Sequence, residues 1–172
     1  MNYFGKKAAF YTLGCKLNFA ETSSIAESFS QTGFELVDFK EEADVYVINS
    51  CSVTGQAEKA TRNIIRQAAR RNPEALIIVA GCYSQISAEK LANMDGVDLV
   101  LGTQEKFIIP HVLGNLEKRE KAEIMTTSLP GIKNYHKASS LADRTRCFLK
   151  IQDGCDYYCS YCIIPYTRGR SR

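Results

Sequence analysis

Three short runs of aliphatic and aromatic residues, Ala8 to Leu13, Asp44 to Asn49 and Ala75 to Ala80, each stop within about two residues of a cysteine, at Cys15, Cys51 and Cys82. No other feature narrows the fold as far. Runs of that length, rich in Val, Ile and Tyr and closed by a polar or glycine-containing turn, read as buried strands. Val97 to Leu101 is a fourth and Phe34 to Val37 a weaker fifth. Between them the apolar spacing becomes helical, first through Phe19, Ile25, Ala26 and Phe29, then through Ala57, Thr61, Ile64, Ile65 and Ala68. Asn18 with Glu21 reads as a variant capping box, Thr54 as the cap of the second helix, and Gly33 as the stop of the first. A further helix from Lys106 to Leu116 closes the unit. Strands alternating with helices predict an α/β fold, a doubly wound, mostly parallel sheet with helices on both faces.

The carboxyl ends of parallel strands share one edge, where ligands bind in such folds. Three distant thiols thereby come to one place. The alternative is that each is an ordinary small buried residue. Gly14 and Gly81, each directly before a cysteine, suit tight turns or close approach of backbone to an inorganic group. A flavin site at this edge would need a Ser/Thr/Gly-rich phosphate loop, and Gly14 to Asn18 reads Gly-Cys-Lys-Leu-Asn instead.

A second set of thiols, Cys155, Cys159 and Cys162, has three residues in the first gap and two in the second. Three closely spaced thiolates can hold three irons of a 4Fe-4S cluster and leave the fourth open to a small molecule. A structural zinc knuckle is the alternative, but it needs a fourth ligand, and the nearest histidine, His136, lies in a linker-like stretch. That stretch, from Arg119 to Asp143, has no sustained period. Arg146 to Ile151 then reads as a strand leading into the cysteine loop, with Cys147 as a buried structural thiol. The division expected is 1–118 for the sheet domain, 119–143 for the linker and 144–172 for the start of a second domain. Seven cysteines, an odd number, without a secretory start or an apolar run of membrane-spanning length, point to metal ligation in the cytoplasm and to no membrane partner.

The segment Ile151 to Gly169, containing Gln-Asp-Gly-Cys-Asp-Tyr-Tyr-Cys-Ser-Tyr-Cys and then Ile-Pro-Tyr-Thr-Arg-Gly, resembles the signature of the radical S-adenosylmethionine enzymes, specifically their methylthiotransferase branch. The motifs at Leu13 to Glu21, Val47 to Thr54 and Val79 to Gln85 are similar to the amino-terminal domain of that family, in the same order. The Gly-Cys-Lys and Gln-Asp-Gly-Cys forms are most similar to the enzymes that methylthiolate threonylcarbamoyladenosine in tRNA.

The resemblance implies two 4Fe-4S clusters. One, on Cys155, Cys159 and Cys162, would chelate S-adenosyl-L-methionine and reduce its sulfonium, giving a 5'-deoxyadenosyl radical that takes hydrogen from the adenine ring. The other, on Cys15, Cys51 and Cys82, would carry the sulfur to be donated. Tyr161 would lie near the adenine of S-adenosylmethionine or simply shield the cluster. The implied partners are the anticodon stem-loop of tRNA, a reductant such as flavodoxin or ferredoxin, and a sulfur donor. In the family a β/α barrel and an RNA-binding module follow. Only ten residues follow Cys162 here, so the chain by itself is expected to be inactive. The different-class alternative is a non-catalytic iron-sulfur or zinc module serving electron transfer or scaffolding.

A net charge of +3 does not by itself indicate a nucleic-acid partner. Lys59, Arg62, Arg66 and Arg70 nevertheless recur on one helix face, extended by Arg71. That face is either solvated or a tRNA phosphate contact. Arg168, Arg170 and Arg172 are weaker candidates for the same role.

Overall fold

The computed structural model describes residues 3–52, 55–140 and 146–172. β1 (Lys7–Thr12), β2 (Glu35–Val37), β3 (Val45–Ser50), β4 (Leu76–Gly81), β5 (Leu99–Leu101) and β6 (Glu123–Met125) form one sheet in the order β2-β1-β3-β4-β5-β6, every pairing parallel. The first five positions repeat the flavodoxin-like order, with the topological switch between β1 and β3.

Alternate residues of each strand enter opposite cores, which is the period of two that a doubly covered sheet demands. Val45, Val47, Leu76 and Ile78 pack with Ile25 and Phe29 of α1 (Lys16–Gln31) on one face. Tyr46, Ile48, Ile77 and Val79 pack with Ile64, Ile65 and Ala68 of α2 (Gly55–Arg71) on the other. Every residue of β3 and β4 is buried, which explains why those two strands read as unbroken apolar runs.

Gly33 ends α1 as expected. At φ 99° it lets its own N–H reach Ser30 O at 3.0 Å and lets the Phe34 N–H reach Phe29 O at 3.2 Å. This is the Schellman pattern, completed by the Phe29 and Phe34 rings 5.0 Å apart. The start of α1 differs from the capping-box reading. Cys15 is the N-cap residue, while Asn18 and Glu21 lie inside the helix with their side chains drawn to tertiary partners. Thr54 lies outside the described residues.

The helix expected over Lys106 to Leu116 is a 3-10 turn, Glu105–Ile108, followed by the single-turn α5 (Ile109–Val112). Pro110 lacks the N–H that a continuous helix would need there. β6 lies inside the stretch that has no sequence period. It is held by backbone, with the Glu123 N–H on Asp98 O and the Gly102 N–H on Met125 O, both at 2.9 Å. The strand expected at Arg146 to Ile151 is reduced to an isolated bridge between Ser139 and Leu149. Among the described residues its backbone-to-backbone bonds go only to residues 138–140, and a single pair that short does not make a sheet. Cys147 is accordingly exposed, not buried.

Candidate metal centre at the sheet edge

The register places Thr12, Asn49 and Ala80 side by side on β1, β3 and β4, three neighbouring strands. Cys15, Cys51 and Cys82 follow these positions by three, two and two residues, all at the carboxyl edge. Cys15 is exposed, and Cys51 and Cys82 are buried.

The loops carrying these thiols are tied to one another. Asn18 Nδ2 donates to Leu13 O at 2.9 Å, before Cys15, and to Ser50 O at 3.0 Å, before Cys51. Asn49 Nδ2 donates to Asn18 O at 3.0 Å, and the Ser50 hydroxyl donates to Ala80 O at 2.6 Å. Gly14 has φ 97°, and a Cβ there would lie 2.7 Å from both Cβ and Sγ of Cys51. Gly81 has φ 102°, and its Cβ would lie 2.5 Å from Asn49 Oδ1 and 2.7 Å from Ser50 O. Both turns therefore demand glycine twice over, by conformation and by space.

Among the described residues no three His, Cys, Asp or Glu side chains form a group that grips one metal ion. Three thiols carried on one edge, with glycine turns that bring backbone close to Cys51 and Ser50, are the residues that could hold a larger inorganic group there. Three buried polar atoms on the strand ends and turns that carry the cysteines also lack hydrogen-bond partners among the described residues. These are Ser52 Oγ next to Cys51, Tyr83 Oη next to Cys82, and Asn49 Oδ1. Unpaired buried polar atoms are costly, and a bound group offering acceptors or donors relieves that cost.

The second cysteine loop sits on the same side of the sheet. α6 (Ile164–Arg168), which follows Cys162, packs against α3 (Cys82–Ile86). Thr103 Oγ1, just past β5, donates to Thr167 O at 3.2 Å. The loop is closed by Asp153 N–H to Arg172 O at 3.0 Å, the reverse bond at 2.9 Å, and Cys155 N–H to Gly169 O at 3.1 Å. Cys162 N–H turns back to Cys159 O at 2.9 Å. Cys155 and Cys162 are half-buried and Cys159 is exposed. Tyr161 is 90% exposed, which leaves its ring open to a bound molecule and covering little of the loop.

Between the two cysteine sets lies a buried network of charge that sequence reasoning missed. Glu21, from α1, is its centre. Its carboxylate accepts from Lys106 Nζ at 2.5 Å, Lys150 Nζ at 2.8 Å, and both Arg168 Nη atoms at 3.0 Å. Asp153 accepts from Lys150 at 2.6 Å, Arg168 at 2.9 Å and Arg172 at 3.2 Å. Glu21, Lys106, Lys150, Asp153 and Arg168 are all buried.

Burial pushes the Glu21 carboxyl up, but Lys106, Arg168 and Lys150 override it and hold the group well below the usual carboxylate range. Burial pulls Lys106 down against the attraction of Glu21. The ionised pair is the state the geometry supports, because three cations converge on one carboxylate. Arg168 is pushed up by Glu21 despite its burial.

Arg168 is therefore no RNA contact. At 1% exposure it is an internal cation. Arg71 also leaves the basic patch, since its Nη1 donates to Phe39 O at 2.7 Å and its guanidinium lies over the Phe39 ring. Lys59, Arg66 and Arg70 remain exposed on α2, with Arg62 half-buried. The signal that could have revealed the network is Glu21 itself, a carboxylate placed four residues before Ile25 on the apolar stripe of α1. No helix among the described residues is long and apolar enough to cross a membrane.

Residues 7–102 match the model of a family described as uncharacterized protein family UPF0004. The chain is 43% identical over 173 residues to a threonylcarbamoyladenosine tRNA methylthiotransferase of Bacillus subtilis, with 95% of this chain and 37% of the relative covered. It is 40% identical to the protein of the same name from Aquifex aeolicus, over 96% of this chain and 41% of the relative. A tRNA-2-methylthio-N(6)-dimethylallyladenosine synthase of Chloroherpeton thalassium is 35% identical, over 97% and 38%. The chain thus spans about two fifths of the length of these curated relatives. Because the family model covers the sheet strands from β1 to β5, more than half of the sequence, the chain belongs to the UPF0004 family, alongside proteins named as tRNA methylthiotransferases.

Proposed function

We propose that the chain serves a tRNA methylthiotransferase that converts N6-threonylcarbamoyladenosine beside the anticodon to its 2-methylthio derivative, using radical S-adenosylmethionine chemistry and two 4Fe-4S clusters. The observation that carries the reading is that cysteines end three adjacent parallel strands while a second three-cysteine loop is seated beside them, its following helix packed on the helix that begins at Cys82. The names of the relatives favour this nucleoside over others, since the higher identities are to proteins named for threonylcarbamoyladenosine.

Cys15, Cys51 and Cys82 would hold the cluster that donates sulfur, and Cys155, Cys159 and Cys162 the one that binds S-adenosyl-L-methionine, with Tyr161 beside its adenine. When bound, the clusters supply one-electron reduction of the sulfonium and the sulfur for insertion. The residues of this chain do the rest. Gly14 and Gly81 keep side chains out of the rim. The buried positions of Cys51 and Cys82 keep two ligands away from water. The cations Lys106 and Arg168 would offset the negative charge of a cluster-bound Cys82. The exposed α2 face, Lys59, Arg66 and Arg70, would track tRNA phosphates. A reductant such as flavodoxin or ferredoxin and a sulfur donor complete the set of partners.

The test is expression at the length of the relatives in a strain whose tRNA lacks 2-methylthio groups, followed by mass spectrometry of nucleoside digests. Appearance of 2-methylthio-threonylcarbamoyladenosine is the expected result. The mark on dimethylallyladenosine instead would reassign the substrate, and no mark at all would leave the non-catalytic metal module as the better reading.

A further inference from the structure

We propose that Glu21 is a positioning residue, the buried carboxylate that clamps the segment carrying Cys155, Cys159 and Cys162 onto the sheet edge carrying Cys15, Cys51 and Cys82. The clamp is geometric. Glu21 and Asn18 lie on one face of α1, one turn apart, and Arg168 reaches both, with Nη1 and Nη2 on the Glu21 carboxylate at 3.0 Å and Nη2 on Asn18 Oδ1 at 2.7 Å. The same Asn18 side chain donates to the backbone just before Cys15 and just before Cys51. Two hydrogen bonds therefore separate the helix that follows the second cysteine set from the loops of the first.

Lys150 repeats the arrangement on the other flank of the loop, bonding both Glu21 at 2.8 Å and Asp153 at 2.6 Å. Asp153 in turn pairs backbone to backbone with Arg172 and bonds Arg168 at 2.9 Å. One carboxylate from α1 thus grips the cysteine loop before Cys155 and after Cys162. Lys106, from the turn after β5, holds that carboxylate from the sheet side.

The charged groups of the network bond one another, Asn18 and Arg172, and none of these bonds reaches a side chain of β3 or β4. A buried ion pair is weak evidence for stability and better suited to fixing one arrangement among several. Its loss should free the docked segment and leave the sheet intact. Residues 148–151 present Leu149 and Ile151 largely to solvent, so little apolar burial substitutes for the clamp there. The purpose assigned to the clamp, holding two cluster sites at a fixed separation, rests on the proposed function. The clamp itself does not.

Hydrogen exchange of the full 172-residue chain without added iron tests it, in Glu21→Gln and, from the opposite side, Arg168→Met. In both variants the amides of Lys150, Asp153 and Cys155, bonded to Ala138, Arg172 and Gly169, should exchange at least about tenfold faster, while Ile48 and Val79 in the central strands keep their protection. A residue that merely adds stability would speed both groups alike. Unchanged exchange in the segment, or equal loss of protection in the strands, overturns the proposal in either variant. Because no iron is measured, this test can fail while the proposed function stands, and failure to assemble clusters leaves it intact.

Discussion

Gly81 combines a left-handed backbone with two contacts that no Cβ can tolerate, so a single methyl there strikes at the turn that presents Cys82. Gly81→Ala should cost about 1–3 kcal/mol by urea denaturation, through strain and displaced neighbours together. A change within about 0.5 kcal/mol, the range of an ordinary surface substitution, would mean that the turn is not built as described. Cys15, the exposed member of its set, should separate the two chemistries. In the protein at the length of its relatives, Cys15→Ala should spare S-adenosylmethionine cleavage and abolish sulfur insertion, read as 5'-deoxyadenosine and methylthionucleoside from one reaction. Loss of both products would contradict separate roles.

Glu21 makes a prediction of sign. Its folded value lies below the ordinary 4.5, so its contribution is complete above that value and is lost as pH falls further toward the folded value. Protease protection of residues 148–172 should therefore weaken in acid below about pH 4.5 and vary less in Glu21→Gln, where that titration is gone. Equal pH dependence in the two proteins would show that Glu21 is not the group involved. Residue by residue, legibility followed sequence distance. The cysteines announced themselves because each stands at the end of a recognisable strand. Glu21 and Arg168 did not, since a contact across 147 positions leaves no local pattern.

Among the elements, β3 and β4 were the easiest to read because both faces are buried, and every position repeats the same signal. Ile78, wholly buried in β4, should cost about 2–5 kcal/mol on replacement by Ala, measured as a shifted urea midpoint at constant slope. β6 was illegible for the opposite reason. Its three residues are exposed or half-buried and owe their place to backbone hydrogen bonds with the β5 region, not to side-chain pattern. The helix after β5 was overextended because apolar residues continue past the point where Pro110 interrupts the donors. On α2 the apolar period was correct, and the opposite face carries the exposed cations. Replacing Lys59, Arg66 and Arg70 with Gln should leave stability within about 0.5 kcal/mol. It should also lower the slope of log affinity for tRNA against log salt by about two. An unchanged slope would make that face merely solvated.

At the scale of the whole molecule, one topological fact organises the rest. The order β2-β1-β3-β4-β5-β6 sets three cysteine-terminated strands side by side, and the topological switch between β1 and β3 falls between the strands that lead to Cys15 and Cys51. The doubly wound class was readable from alternation alone, and with it the shared edge. What alternation could not supply was the return of residues 148–172 to that edge, because the return is made by buried charge and by helix packing between α3 and α6.

Each cysteine triad is proposed to hold its own four-iron cube. Iron and acid-labile sulfide per chain, measured after anaerobic reconstitution, test this most directly. About eight of each are expected, falling to about four when Cys15, Cys51 and Cys82 are all replaced by Ala. Zinc at full occupancy, or an iron content that the triple replacement leaves unchanged, would contradict it.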